Sequence, residues 1–437
     1  MADRSTATRH PGYYADSIFP AECGGPERRK VPWSVGLGLW PGDPLAVTRR
    51  DNGRWNVQLV WRGLQLYLYS TSTLGSADPY GLVEQINPIT LDPIRSSPHL
   101  PTGGHISTGS IVVHANGDLY VVNGRFLHRL SPSLEMLAEV ELGDDRSYNG
   151  LLVMADGTIV TKELRLGGEP SHLSLYEPDE LGPLGTTTLL ESSMGGICGE
   201  LDQRTDLIYV PGTERIFRYE YRRGGLKRDP NWTARYRSLN DPHGLAWDGC
   251  LGSGSVWFHD NGDPSFVRGI HEQQPAGAVA REPSFDASFE VAGRLHRFST
   301  NKADEHDMLE PVGLPDGWVV APPVYVEEHR IVIAWDSWHG GMVAWRYGGP
   351  GDFLEVWRNT IRNFWQPLVY PDTAEIVVDD YHPMVDDNIV VLDLLTGQEK
   401  ARAETGSSRP NGMFPCPGQG RDFYYLTTNS VARVAAT

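Results

Sequence analysis

Residues 105–142, HISTGSIVVHANGDLYVVNGRFLHRLSPSLEMLAEVEL, carry the pattern that decides the fold of this chain. They contain four short runs of β-branched, aromatic or alternating apolar residues: SIVVHANG, DLYVVNG, FLHRLSP and EMLAEVEL. Asn-Gly, Asn-Gly-Arg and Ser-Pro-Ser separate the runs. Asn116-Gly117 is the strongest hairpin signal, because both central residues of a type I′ turn need a positive φ. The stretch therefore predicts a four-stranded antiparallel meander.

The same unit recurs along the 437 residues. Its innermost strands are predicted to start near positions 56, 105, 149, 197, 243, 312, 366 and 411, a spacing of about 51 residues. One such sheet cannot bury both faces alone, so the copies should pack side by side in a ring. We predict an all-β protein, a β-propeller with eight four-stranded blades. Seven blades remain the alternative if the irregular segment 243–360 is one blade plus an insertion.

The two ends of the chain are predicted to meet. Residues 1–50 are rich in Pro, Gly and charge and should form an N-terminal arm that can also supply a strand. The last unit has only three strands, so a fourth strand from the N-terminus would close the ring and remove exposed sheet edges. Residues 51–437 are then a single propeller domain with an insertion around 263–290.

Composition excludes several classes of partner. The formal net charge of −18 disfavours nucleic acid and anionic membrane surfaces, which require clustered Lys and Arg. No segment approaches the roughly 20 apolar residues of a membrane span, and the first residues lack an apolar signal core. We therefore expect a cytoplasmic protein. The four cysteines show no CxxC motif, which argues against disulfides or structural zinc.

Polar residues recur at two places in each unit. In an antiparallel blade, the loop into the first strand and the loop between the second and third strands lie at the same end, so these residues should converge on one channel mouth. The candidates at the start of inner strands are His105, Asn149, Glu200, His243, Gln366 and Asn411. Those at the ends of second strands are Lys162, His259, Asp260, Asp336, Trp338, His339, Tyr381 and His382. The remaining histidines that we expect at the surface are His114, His128, His271, His296 and His329.

A purely structural role is the alternative for each candidate. Asn149 and Asn411 precede glycine, so turn geometry alone explains them. Lys162 can pair with Glu163, and Asp260 can cap loop amides.

Several blade openings resemble a known group of propellers. The motifs are YNGLLVMADG, DPHGLAWDG with SVWFHD, and ANGDLYVVNG, and they resemble blades of the gluconolactonase, strictosidine synthase and NHL-repeat propellers. The resemblance covers about residues 105–265 and 363–430, although those relatives usually have six blades. Relatives of gluconolactonase hydrolyse lactones or esters with a channel calcium held by a Glu, two Asn and an Asp.

Carried onto this chain, the resemblance implies Asn149 and Asn411 as the two asparagines and Asp260 as the acid. The next expected position holds His243, and imidazole favours zinc or iron over calcium. The predicted metal ligands are His105, His243, Asn149, Asp260 and Glu200.

A second analogy is the carotenoid-cleaving oxygenases, in which four histidines from separate blades hold iron. His105, His243, His339 and His382 come from four different units here. The tryptophan-docking signature of eight-bladed quinoproteins is missing, so we expect no quinone cofactor.

The leading functional hypothesis is hydrolysis of a small lactone or ester, in which a calcium, zinc or iron ion polarises the carbonyl and a channel side chain activates water. The predicted catalytic residues are His105, His243, His339, His382, Asp260 and Lys162. The predicted substrate contacts are Asn149, Asn411, Trp338, Tyr381 and Gln366. The alternatives are an iron-dependent oxygenase, a lyase or isomerase that uses Lys162, and a propeller that binds another protein. The oligomeric state is left open.

Overall fold

The computed structural model describes residues 11–437 except 73–75, 106–108, 166–167, 202–204, 239, 263–289, 320, 365, 381–387 and 408–413. The described residues form eight antiparallel sheets, which are the blades of a β-propeller. Seven sheets are built around four consecutive strands, and the eighth joins the last three strands to the first strand of the chain. The prediction of eight blades rather than seven is confirmed.

A short 3-10 helix (Glu22–Gly24) lies in the N-terminal arm, and the first strand is β1 (Leu45–Asp51). Blades 1 and 2 follow, with β2 (Trp55–Arg62), β3 (Gln65–Thr71), β4 (Tyr80–Ile86), β5 (Pro93–Ser96), the short β6 (Leu100–Pro101) beside β4, β7 (Ser110–Val113), β8 (Leu119–Asn123), β9 (Phe126–Leu130) and β10 (Met136–Glu141). Blades 3 and 4 contain β11 (Tyr148–Val153), β12 (Ile159–Glu163), β13 (His172–Tyr176), β14 (Pro183–Thr188), β15 (Cys198–Leu201), β16 (Asp206–Pro211), β17 (Arg215–Arg222) and β18 (Gly225–Arg235). Blades 5 and 6 contain β19 (Gly249–Gly252), β20 (Ser255–His259), β21 (Leu295–Ser299), β22 (His306–Leu309), β23 (Val324–Val326), β24 (Ile331–Trp335), β25 (Met342–Gly349) and β26 (Asp352–Asn359). Blades 7 and 8 contain β27 (Leu368–Tyr370), β28 (Glu375–Asp379), β29 (Asn388–Asp393), β30 (Glu399–Glu404), β31 (Cys416–Pro417), β32 (Asp422–Leu426) and β33 (Ser430–Ala436).

Burial explains why the sequence pattern changes across a blade. Every residue of the second strands β8 and β24 is buried, whereas the outer strand β10 alternates between half-buried and exposed positions. A strand covered on both faces is a continuous apolar run, and a strand at the rim alternates. The Asn116-Gly117 hairpin is present, but only Gly117 has a positive φ, 91°, and its N–H donates to the carbonyl of His114. The prediction of a type I′ turn is therefore wrong, since that turn needs a positive φ at both central residues.

The ring closes as predicted. Strand β1 pairs antiparallel with β33, from Leu45 opposite Ala436 to Asp51 opposite Ser430. Blade 8 is therefore built from three C-terminal strands and one N-terminal strand.

Several inner strands begin later than predicted. The starts near 105, 243 and 312 are at Ser110, Gly249 and Val324. The described polar residues ahead of these strands, including His105 and His243, therefore lie outside the sheets.

The N-terminal arm, residues 11–44, closes one end of the channel. The backbone N–H groups of Ala115 and Trp61, where inner strands end, donate to the carbonyls of Tyr13 and Phe19 at 3.0 Å each. Leu37 N–H donates to Glu375 at the start of a second strand, at 2.8 Å. These contacts lie at the end with the turns between first and second strands, which we call the arm end.

The arm also enters the channel. The N–H groups of Gly199, Leu251 and Val369, on the innermost strands of blades 4, 5 and 7, donate to carbonyls of the arm at 2.8–2.9 Å. The opposite end of the channel carries the loops into the first strands and those between second and third strands, and we call it the mouth. None of the helices in the described part of the chain has the length and apolar character needed to cross a bilayer. All four cysteines are buried and unpaired, as predicted.

Candidate functional site

Three of the predicted histidines lie at the mouth, and each imidazole is held by an aspartate. The pairs are His105–Asp145, His243–Asp241 and His339–Asp336, at 2.8, 2.5 and 2.8 Å. A carboxylate that accepts from one ring nitrogen fixes the tautomer and leaves the lone pair on the other nitrogen. The three pairs belong to three separate regions of the rim.

The His339–Asp336 pair is the most completely organised. Asp336 Oδ1 accepts the backbone N–H of Trp338 at 2.8 Å and of His339 at 3.2 Å, and Oδ2 accepts Nδ1–H of the His339 ring. Asp336 is buried, whereas the indole of Trp338 is 40% exposed. Among the described residues, Nε2 of His339 has no partner. The imidazole can therefore accept a proton from a molecule at the mouth.

The His243–Asp241 pair has the same design. Asp241 Oδ1 accepts both the backbone N–H and the Nδ1–H of His243. Burial would raise the pKa of Asp241, but these hydrogen bonds and the Arg294 charge hold it below its ordinary value. The carboxylate is thus ionised and accepts both N–H groups of His243.

Asn261 joins these two pairs. Its Oδ1 accepts the N–H of Gly244 at 2.6 Å, and its Nδ2 donates to the carbonyl of Gly317 at 3.0 Å. Gly317 packs so tightly on Asp336 that a Cβ there would clash with the carboxylate. The two histidine loops are therefore parts of one bonded structure between blades 5 and 6.

His105 belongs to a more exposed cluster at blades 2 and 3. Its partner Asp145 is also bonded to Arg125, and the Asp145 side chain is 76% exposed. The hydrogen bond from His105 lowers the pKa of Asp145. The geometry is that of a surface ion pair, and exposed pairs of this kind contribute little energy.

Asp260 does not face the mouth. It is fully buried and accepts the N–H and Nε–H of Arg294 at 2.7 and 2.5 Å and a ring N–H of His296 at 3.0 Å. Burial alone would raise its pKa, but these bonds lower it. His296 itself is completely buried, and so are His114 and His128. The prediction that these three histidines are surface residues is wrong, because His128 and His296 lie on third strands that pair on both sides and His114 packs against the rings of Tyr13 and Tyr120. His329 is half-buried, and His271 lies outside the described residues.

The other predicted site residues that the structure describes contact different parts of the chain. Lys162 is buried, its Nζ donates to the carbonyls of Glu163 and Ser193 at 3.1 and 3.0 Å, and burial lowers its pKa to about 8. Asn149 is half-buried opposite Lys162, and Gln366 accepts from the thiol of Cys23 on the arm. Glu200 is exposed and lies near Glu27 of the arm. Burial raises the pKa of Glu27, and the negative charge of Glu200 raises it further. Tyr381, His382 and Asn411 lie outside the described residues.

The predicted metal ligands do not form a common cation site in the described contacts. Both oxygens of Asp260 are bonded to Arg294, and Glu200 is beside the arm. In the described part of the chain, the side chains close enough together to hold a metal ion are those of Asp144, Glu163 and His172. Their possible ligand atoms lie within 4.8 Å of one another. Arg165 already contacts both carboxylates, at 3.3 and 2.9 Å. Its guanidinium supplies the positive charge there, so the donor set fits an ion-pair cluster better than a cation site.

A small pocket of about 10 Å³, the size of one water molecule, lies between blades 5 and 6 beside Asp336. His259 and Trp335 line it and are each 2% exposed. His259 Nδ1–H donates to the Ala321 carbonyl at 2.9 Å, while its Nε2 and the Nε1–H of Trp335 have no partner among the described residues. Burial lowers the pKa of His259 to about 4, so the imidazole is neutral and Nε2 carries a lone pair.

Acid should destabilise the fold through His259. Its pKa is about 4 in the folded chain and near 6.5 when unfolded, so only the unfolded chain binds this proton between those values. Stability should therefore fall as the pH drops from about 6.5 to about 4, by about 3 kcal/mol in total from this group. Unfolding midpoints measured from pH 7.5 to 4 should decline less steeply for His259→Phe than for the unsubstituted protein.

His329→Phe is the matched control, since His329 makes one carbonyl hydrogen bond at the arm end. Equal pH slopes for both variants would contradict the assignment.

The comparisons with known proteins agree on architecture. No protein-family model matches the sequence, and no curated protein matches it. Among solved structures, the quinohemoprotein alcohol dehydrogenase ADHIIG from Pseudomonas putida HK5 has a TM-score of 0.60 at 10% identity, over 98% of this chain and 81% of that one. BamB from Moraxella catarrhalis has a TM-score of 0.51 at 13% identity, over 89% and 98%. The Dos1 propeller has a TM-score of 0.57 at 8% identity, over 92% and 96%. At these identities the likeness establishes an eight-bladed β-propeller, and nothing finer.

Proposed function

We propose that this propeller hydrolyses small uncharged lactones or esters at the mouth between blades 5 and 6. The observation that carries the proposal is the pair of aspartate-held histidines, His243 and His339, joined through Asn261. The resemblance of the blade openings to gluconolactonase-related propellers supports lactones and esters as the substrate class. Closure of the arm end supports the mouth as the place of substrate access.

His339 is the general base in this mechanism. Its Nδ1–H donates to Asp336, so Nε2 removes a proton from water as the water oxygen attacks the carbonyl carbon. The exposed Trp338 beside it offers a flat apolar surface for the substrate.

His243 is the general acid. Its ring is held by the ionised Asp241, and in the protonated form it donates a proton to the alkoxide oxygen as the acyl–oxygen bond breaks. Water is consumed, an acid and an alcohol or a hydroxy acid are formed, and a proton returns from His339 to His243 through solvent. No step uses a metal ion.

The test is titrimetric hydrolysis of a panel of uncharged lactones and esters. His339→Gln and His243→Gln should each lower kcat/KM by about 10²-fold or more, since each removes one proton-transfer group. His329→Gln, at the arm end, should leave the rate unchanged. The proposal is wrong if the unsubstituted protein turns over nothing in the panel, or if the two mouth variants retain full activity. Metal analysis of the same preparation tests the metal-assisted form, which would require stoichiometric calcium, zinc or iron.

A further inference from the structure

Two of the residues that line the pocket beside Asp336 each carry a buried polar atom that has no partner in the described part of the chain. These are Nε2 of His259 and Nε1–H of Trp335, and the two rings meet edge to face with centroids 5.1 Å apart. Burying either group without a partner costs about 1–3 kcal/mol, and most buried polar groups in proteins are paired. Two such groups side by side in one pocket therefore point to a molecule that pairs with both.

The chemistry of the two atoms restricts that molecule. A hydroxyl group both donates and accepts, so it can satisfy the His259 lone pair and the Trp335 N–H together. A carbonyl can satisfy only Trp335, and an anion would face the His259 lone pair and the Asp336 carboxylate. A cation would be repelled by the Trp335 N–H. The enclosed part of the pocket is about the size of one water molecule, which is the size of a hydroxyl group.

Pro311, Val312 and Val319 also line this pocket and present apolar side chains. A ligand that places a hydroxyl group inside can thus lay a short hydrocarbon part against these side chains.

We propose that His259 and Trp335 bind the hydroxyl group of a small uncharged ligand whose apolar part rests on Pro311, Val312 and Val319. This site goes beyond the proposed hydrolysis, because recognition of the hydroxyl group does not depend on proton transfer by His243 or His339. His259 is a binding residue in this site, and Asp336 belongs to both sites.

The test compares cyclopentanol with cyclopentanone. Both are uncharged and have the same ring size, but only cyclopentanol has a hydroxyl group that can donate a hydrogen bond. Binding is followed through the indole Nε1–H resonance of Trp335, assigned from its loss in Trp335→Phe. Cyclopentanol should bind at least about five-fold more tightly, because the ketone leaves the His259 lone pair unpaired. In His259→Phe this ratio should fall to about one, and in the control His329→Phe it should be unchanged.

Equal binding of alcohol and ketone by the unsubstituted protein would show that the hydroxyl group is not recognised, and binding of neither would show that the pocket holds water only; either result would overturn the proposal. Zinc binding that requires His259, without alcohol binding, would overturn it in favour of a metal ion. The two-ligand comparison remains decisive even if His259→Phe does not fold. The variant His339→Gln separates this site from the hydrolysis, since it should keep the preference for cyclopentanol whether or not the protein hydrolyses esters.

Discussion

Arg28→Met should lower the free energy of unfolding by about 3–5 kcal/mol, the largest stability change that we expect from one substitution. Arg28 lies inside the channel and bonds to Glu22 on the arm and, at 2.7 Å, to Asp248 just before β19. All three side chains are less than one-tenth exposed. Removing the guanidinium leaves two buried carboxylates without their counter-charge. The midpoint of denaturant unfolding, followed by tryptophan fluorescence, measures the effect.

The matched control is Arg358→Met. Arg358 also contacts a glutamate, Glu355 at 2.9 Å, but the two side chains are 48% and 44% exposed. We expect a change of at most about 1 kcal/mol, because solvent screens the pair. Adding Glu22→Gln and Asp248→Asn to Arg28→Met should recover part of the lost stability. If Arg28→Met and Arg358→Met have equal effects, the buried ion pairs do not hold the arm in the channel.

Asp336→Asn should lower kcat by about 10³–10⁴-fold with the fold intact, the largest effect on activity that we expect. The asparagine Oδ1 can still accept the backbone N–H groups of Trp338 and His339. Its Nδ2 would donate to Nδ1 of His339 and force the proton onto Nε2. The base then has no lone pair to offer the attacking water. Hydrolysis rates from pH 5 to 9, together with the unfolding midpoint, separate a loss of catalysis from a loss of structure.

Asp393→Asn provides the control for this substitution. Asp393 accepts two backbone N–H groups of its own turn, from Leu395 and Thr396, at the arm end and without a histidine. The same change there should affect neither the rate nor its pH profile. An Asp336→Asn variant with the unsubstituted kcat would show that His339 is not the general base.

The histidine–aspartate pairs show which residues of the site could be predicted from the sequence and which could not. His243 and His339 were predicted at the mouth because they fall in the loops that must meet there. Asp336 was found in the same motif, AWDSWHGG, since it precedes His339 by three residues. Asp145 is forty positions from His105, and no pattern in the sequence joins them. Asp260 was expected at the mouth with the others, but the pleat of β20 and the loop after it turn the carboxylate toward Arg294 and His296.

The sequence by itself determined the architecture of this protein. Alternating apolar residues and turn residues are local signals, so they specify four-stranded units, their number, and a last unit that needs a strand from the N-terminus. The tertiary structure alone decided which aspartate orients which histidine, that the arm fills the channel, and that His259 and Trp335 share an unsatisfied pocket. Those features depend on how neighbouring blades pack and on which side chains their loops bring into contact, and contacts between distant residues leave no periodic trace in the chain.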